Sequence, residues 1–136
     1  MLIKAEIKFL KTGPRKVRLV ADLVRPMSVV EAMTTLKHLP QRSAIHVLKL
    51  FKQAVANAVN NHNLSKDSLS IHTLEINTGP TYKRFQPVSR GRAHSILKRT
   101  SHLKLVLKSE EPQPKAEKPV ADKPKKEKEP TNGTKS

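Results

Sequence analysis

The sequence predicts an α+β fold, with three helices packed on a small three-stranded antiparallel sheet, a long protruding β-hairpin and a disordered C-terminal tail. Three observations lead there. Apolar residues repeat every second position near the start and again from Leu69, but at three- and four-residue spacing in between. A segment rich in Arg, Lys, Pro and Gly separates the last two alternating stretches. After Lys108 the composition changes abruptly to Pro, Lys and Glu.

The elements follow in order. Ile3, Ala5, Ile7 and Phe9 alternate with Lys4, Glu6 and Lys8, the period of a half-buried strand. Gly13-Pro14 then punctuates the chain, and Pro suits a first helical position. Val17, Val20, Ala21 and Val24 place one apolar face on a short helix over about 14–24, with Arg15, Lys16, Arg18 and Asp22 largely on other faces. Arg25-Pro26 ends it. Ser28 and Glu31 have capping-box spacing and open a second helix striped by Val29, Ala32, Met33 and Leu36 and stopped by Pro40. The third helix, about 41–62, carries Ala44, Val47, Leu48, Phe51, Ala54, Val55, Ala58 and Val59 on one stripe. That stripe suits core packing under a sheet better than a dimer seam. Asn60-Asn61-His62-Asn63 ends the helix. Leu69 and Ile71, then Leu74 and Ile76, give a strand with a phase change, consistent with a bulge near His72. Leu103, Leu105 and Leu107 form the last strand. These elements make one domain over 1–108, with the hairpin at about 78–101.

Lys plus Arg number 27 against 11 Asp plus Glu, a formal net charge of +16. Residues 109–136 hold seven Lys, six acidic residues and half of the ten prolines, and they lack the apolar side chains needed to offset ordering. They are read as a solvated tail of mixed charge, and Pro124-Lys125-Lys126 as part of it rather than a localisation signal. Twenty basic and five acidic side chains therefore leave +15 on residues 1–108. Such an excess self-repels in a compact body and suits a polyanionic partner. No acidic residue occurs from Ile76 to Ser109, whereas Lys83, Arg84, Arg90, Arg92, Lys98, Arg99, Lys104 and Lys108 all lie there.

That basic stretch joins two strands, so its simplest geometry is a long hairpin. At about 3.3 Å per residue, an arm of about 10 to 12 residues reaches roughly 35–40 Å. A lone ribbon is marginal in water, and this one has too few apolar residues to pack on the body. RNA suits it: the guanidinium groups fork onto phosphates, Tyr82 and Phe85 offer stacking faces, and Gly91 permits a turn or close approach. With ~6–8 phosphate contacts, affinity should fall about three to five decades between low and moderate salt. Composition alone leaves open the alternative of a basic loop without fixed register.

Other classes are disfavoured. There is no cysteine, which excludes disulfides and thiolate metal sites. The histidines at 38, 46, 62, 72, 94 and 102 lack short ligand spacing, and no cofactor is implied. Ser101 and His102 are adjacent on a strand and face opposite ways, so they make no nucleophile–base pair. No run approaches the ~20 apolar residues of a membrane span. Met1 to Lys11 does not read as a signal peptide, so the cytosol or an organelle matrix is expected. The first helix has cations for a DNA groove, but its apolar face has a packing use, and it carries no aromatic anchor for a membrane surface.

Three blocks resemble the family of bacterial large-subunit ribosomal protein twenty-two. They are Pro14-Arg15-Lys16-Val17-Arg18 through Arg25; Ala54-Val55-Ala56-Asn57-Ala58 with Asn60-Asn61; and Gly79-Pro80-Thr81, Lys83-Arg84-Phe85, Arg90-Gly91-Arg92-Ala93 and Lys98-Arg99-Thr100-Ser101-His102. The similarity runs from about Ala5 to Leu107. The resemblance implies a non-enzymatic constituent of the large ribosomal subunit, in the cytoplasm, that binds 23S rRNA early in assembly. It implies a globular domain near the outer end of the polypeptide exit tunnel and a hairpin in the tunnel wall. Neighbouring ribosomal proteins and the passing nascent polypeptide are the further partners it implies; DNA and membrane are not. By position, Tyr82, Lys83, Arg84, Phe85, Arg90, Gly91 and Arg92 belong to the outer hairpin, and Lys98, Arg99, Thr100, Ser101 and His102 to the strand returning along rRNA. The resemblance also implies a second rRNA contact at Arg15, Lys16 and Arg18 of the first helix. The chain departs from the family pattern at Gly13, usually Ser, and at Pro26-Met27, usually Gly-Lys. Asn77-Thr78 replace acidic residues, and Gln86 and Val88 stand where Arg is frequent.

Overall fold

A computed structural model describes residues 1–109. The elements are β1 (Leu2–Leu10), α1 (Pro14–Val24), α2 (Val29–His38), α3 (Arg42–His62), β2 (Leu69–Pro87) and β3 (Ala93–Ser109). The sheet is antiparallel with order β1-β3-β2, so the last strand is the central one. Leu103, Leu105 and Leu107 of β3 are fully buried, together with Ile3 and Ala5 of β1 and Leu74 and Ile76 of β2. The three helices supply the rest of this core, with Phe51 and Leu50 of α3 at its centre. The α3 stripe is thus consumed by the domain's own core. Leu50 belongs to it, whereas Leu48 is only partly buried.

The local chemistry explains the helix ends. Pro14 opens α1 behind Gly13, whose φ of −64° and ψ of 140° are open to any residue. Ser28 and Glu31 complete a reciprocal capping box on α2, each side chain accepting the other residue's backbone N–H. In the Pro26-Met27 turn, Met27 packs against the core and its sulfur accepts from Thr35 Oγ1 at 3.6 Å, so a core contact stands at this departure from the family pattern. At the end of α3, Asn63 takes a left-handed conformation (φ 51°), and the N–H of Leu64 reaches back to the Ala58 carbonyl, a Schellman-type stop.

Three bulges shape the sheet. The first is at His72, between the pairs Ile71↔Leu107 and Thr73↔Val106, and lets Leu69 and Leu74 both face inward despite their odd spacing. The second sets Lys8 and Phe9 against the single residue His102. Phe9 sits there at φ 55° and its N–H donates to His102 Nδ1 at 3.0 Å. The bulge turns Phe9 out to 54% exposure and brings Leu10 into the core, which corrects the strict alternation expected through Phe9. The third sets Gly79 and Pro80 against Thr100.

Ser109 closes β3, so the strand runs one residue past the expected domain end. Its N–H donates to the Met1 carbonyl at 3.0 Å, and its carbonyl accepts from the Met1 amino group at 3.1 Å. The remainder of the expected disordered tail lies outside the described residues.

Candidate nucleic-acid interface

Beyond the third bulge, β2 and β3 leave the body as a two-stranded ribbon. Pairing is regular from Thr81↔Arg99 to Pro87↔Ala93. The segment thus has a fixed register rather than being a loop without one. At about 3.3 Å per residue the arm reaches roughly 30 Å from Thr100 to its tip. That is shorter than expected because the chain also forms a bulge at the root and a turn at the end. The turn is tight: Arg92 N–H donates to the Ser89 carbonyl at 3.4 Å, and the central residues Arg90 and Gly91 have φ of 58° and 70°. Positive φ at both central positions is the type I′ pattern, which matches the twist of a hairpin. Gly91 takes it freely; Arg90 holds it against a cost of about 1–2 kcal/mol.

Every residue from Tyr82 to Arg99 is exposed. Among these, Phe85 is 75% exposed. Lys83, Arg84, Arg90, Arg92, Lys98 and Arg99 all lie on this arm, and among the described residues none has a carboxylate partner. Cross-strand neighbours share a face. One face therefore carries Tyr82 with Lys98 and Arg84 with Ile96, and the other Lys83 with Leu97 and Phe85 with Ser95. Both faces mix cations with apolar or aromatic groups. Gln86 and His94 pair further out on the Tyr82 and Arg84 face, and Val88 precedes the turn, so cation density falls at those two departures from the family pattern.

The root is built differently. Thr100 and Ser101 are 1% and 0% exposed. Thr100 Oγ1 donates to the Pro80 carbonyl at 2.6 Å, and Ser101 Oγ donates to the Thr12 carbonyl at 2.9 Å. His102 uses Nδ1 as an acceptor for Phe9, so Nε2 carries the proton in the neutral ring, and the ring meets Phe9 edge-on at 4.8 Å. Thr100 and Ser101, expected among the RNA contacts, have their hydroxyls committed inside the fold. Both hydroxyls are enclosed because β3 is the middle strand, and they fasten the arm to the body. His102 is half-buried and serves the neighbouring bulge.

On α1, Arg15 and Lys16 are exposed. Arg18 is partly committed to the fold, since its Nη2 donates to the Ile76 carbonyl at 3.1 Å. Arg25 likewise reaches the Leu74 carbonyl at 3.0 Å and pairs with Asp22. The arm and α1 flank one concave region, to which both Lys16 and Arg84 contribute. Arg42, at the start of α3, lines it too and was not singled out from the sequence, where it reads as one solvated charge among many. Among the described residues, no cluster of His, Asp and Glu is placed to hold a metal ion, and no helix is long and apolar enough to cross a membrane.

Together these features define a class: a basic α+β protein whose body anchors a rigidly rooted, cationic β-ribbon. The family model described as ribosomal protein L22p/L17e matches residues 5–108, and the chain belongs to that family of structural ribosomal proteins, not enzymes. It is 49% identical over 110 residues to the "Large ribosomal subunit protein uL22" of Mesoplasma florum, covering 81% of this chain and 98% of that one. It is 52% identical over 108 residues to the protein of the same name from Clostridium novyi, covering 79% of this chain and 97% of the relative.

Proposed function

We propose that the chain is a structural constituent of the large ribosomal subunit that binds 23S-type rRNA and joins the particle early in assembly. In this reading the body sits on the outside of the subunit near the polypeptide exit, and the arm runs inward as part of the tunnel wall. Its partners are rRNA, neighbouring large-subunit proteins and the nascent polypeptide that passes the arm. DNA and membranes are not partners, and the working location is the cytoplasmic ribosome.

One observation carries this reading: an ordered ribbon on which every side chain from Tyr82 to Arg99 is exposed and six cations have no carboxylate partner among the described residues. A ribbon that lay on a surface would need cations on one face only. Here both faces hold them, which suits an arm embedded in polyanion. The forked donors of Arg meet phosphates, and the aromatic and aliphatic groups between them meet bases or 2′-hydroxyl-lined grooves. The root hydroxyls of Thr100 and Ser101 hold the arm at a set angle while RNA closes around it.

The test is Arg90→Glu combined with Arg92→Glu. Both side chains are exposed, so the fold is expected to persist by circular dichroism. Affinity for large-subunit rRNA should drop, the salt slope should flatten by about two, and fewer variant chains should sediment with the large subunit. Incorporation at the parental level would overturn the assignment.

A further inference from the structure

The concave region between body and arm has a composition that phosphate binding alone does not require. It is a cleft of ≈ 1270 Å³. Lys11, Lys16 and Arg42 stand on the body side, and Arg84, Lys98 and Arg99 on the arm side. Among the described residues, no carboxylate lines it. The same lining includes Leu19 and Leu23 from the body and, from the two faces of the arm, Leu97 and the ring of Tyr82. Leu19 is 72% exposed, more than any other large apolar side chain of the body.

We propose that this cleft takes an unpaired RNA nucleotide, its base against exposed apolar groups of the lining and its flanking phosphates meeting the cations of body and arm. The proposal rests on the reading that the chain binds rRNA, and adds to it where a base enters and what form of RNA is selected. A base-paired helix presents phosphates and 2′-hydroxyls outward, so it would satisfy the rim and leave Leu19, Leu23 and Leu97 in water. An unstacked base brings an apolar face of the right kind, with Tyr82 as a stacking partner. A charged chain with an apolar face at every repeat describes single-stranded RNA. An acidic protein segment would have to supply both features at matched spacing. His46 also lines the cleft. Burial, and then Lys49 and Arg42, hold its pKa below the usual imidazole value. A neutral ring keeps one donor and one acceptor for a base edge.

Full-length protein is titrated with transcribed large-subunit rRNA fragments over a salt series. Leu19→Ser removes apolar cover and Tyr82→Leu removes the stacking ring, neither of them removing charge, and both positions are exposed enough to spare the fold. The loss expected for Tyr82→Leu is roughly 5- to 150-fold in affinity, with an unchanged salt slope. Leu19→Ser should lower affinity in the same slope-preserving way. Lys16→Gln with Arg42→Gln should instead flatten the slope by about 1.4 for single-stranded contacts. If the parent binds and both apolar variants match it, or if their loss comes with a changed slope, the cleft proposal is overturned while rRNA binding stands. A parent that shows no salt-dependent binding overturns the underlying reading first. The chain has no cysteine, so Leu19→Cys gives one thiol for a photoactivatable cross-linker in assembled subunits. Attachment to an unpaired nucleotide is expected; attachment to protein, to a paired nucleotide or to nothing overturns the proposal.

Discussion

At Gly79 a Cβ would overlap Thr100 Oγ1 and meet His102 Nε2 at 3.0 Å. The glycine is needed because the opposite strand's side chains already fill its space. Thr100 has no freedom to retreat, since it is buried and its hydroxyl satisfies the carbonyl of Pro80. Gly79→Ala is therefore expected to cost about 1–3 kcal/mol, the range for overpacking a filled site. Urea denaturation measures it. Adding Thr100→Ala makes room, so the double variant should be less destabilised than the sum of the single ones. Of this root, the residue types were visible in the sequence and their use was not. Thr100, Ser101 and His102 follow Lys98-Arg99, and the family resemblance implied a shared contact with RNA. Their burial depends on partners at Pro80, Thr12 and Phe9, which are distant in the chain.

At the scale of elements, α1 was legible in full because Gly-Pro, the apolar spacing and Arg-Pro all mark the same bounds, Pro14–Val24. The bulge at His72 was legible because it breaks the apolar phase within its own strand. The bulge at Lys8–Phe9 was not, because the residue that stabilises it is His102 on the far strand. Helix α1 also holds an unused opportunity. Gly13 caps it with no side-chain hydrogen bond, and a Cβ there meets nothing within 4 Å. Its backbone is compatible with any residue. Gly13→Ser supplies the missing acceptor and restricts the unfolded chain, for an expected gain of about 0.5–1 kcal/mol. A rise in the urea midpoint at constant m-value checks it; an unchanged midpoint refutes it.

For the whole molecule, the two termini of the described fold meet. Met1 and Ser109 exchange backbone hydrogen bonds at the open end of the β1–β3 pair. The core formed by the described residues draws on Ile3 to Leu107. Ending the chain after Ser109 is thus expected to leave the melting temperature and incorporation into subunits close to those of the full protein. A large fall in either would assign the 110–136 segment a part in the fold or in assembly. The charge carried by the whole was the most legible property of all, because it needs only counting. The division of labour among cations needed coordinates, since Arg18 and Arg25 look no different in sequence from Arg84 or Arg92.

Those two arginines, one on α1 and one just past its end, have an effect on solubility. β2 is an outer strand, and such strands offer unpaired carbonyls on which a second polypeptide can polymerise. Arg18 and Arg25 occupy two of them, at Ile76 and Leu74, and set positive charge along that margin. An incoming strand, including one from another copy of the same protein, would have to evict both guanidinium groups before it could pair at that stretch. A freshly made chain awaiting its particle therefore carries its own guard against clumping.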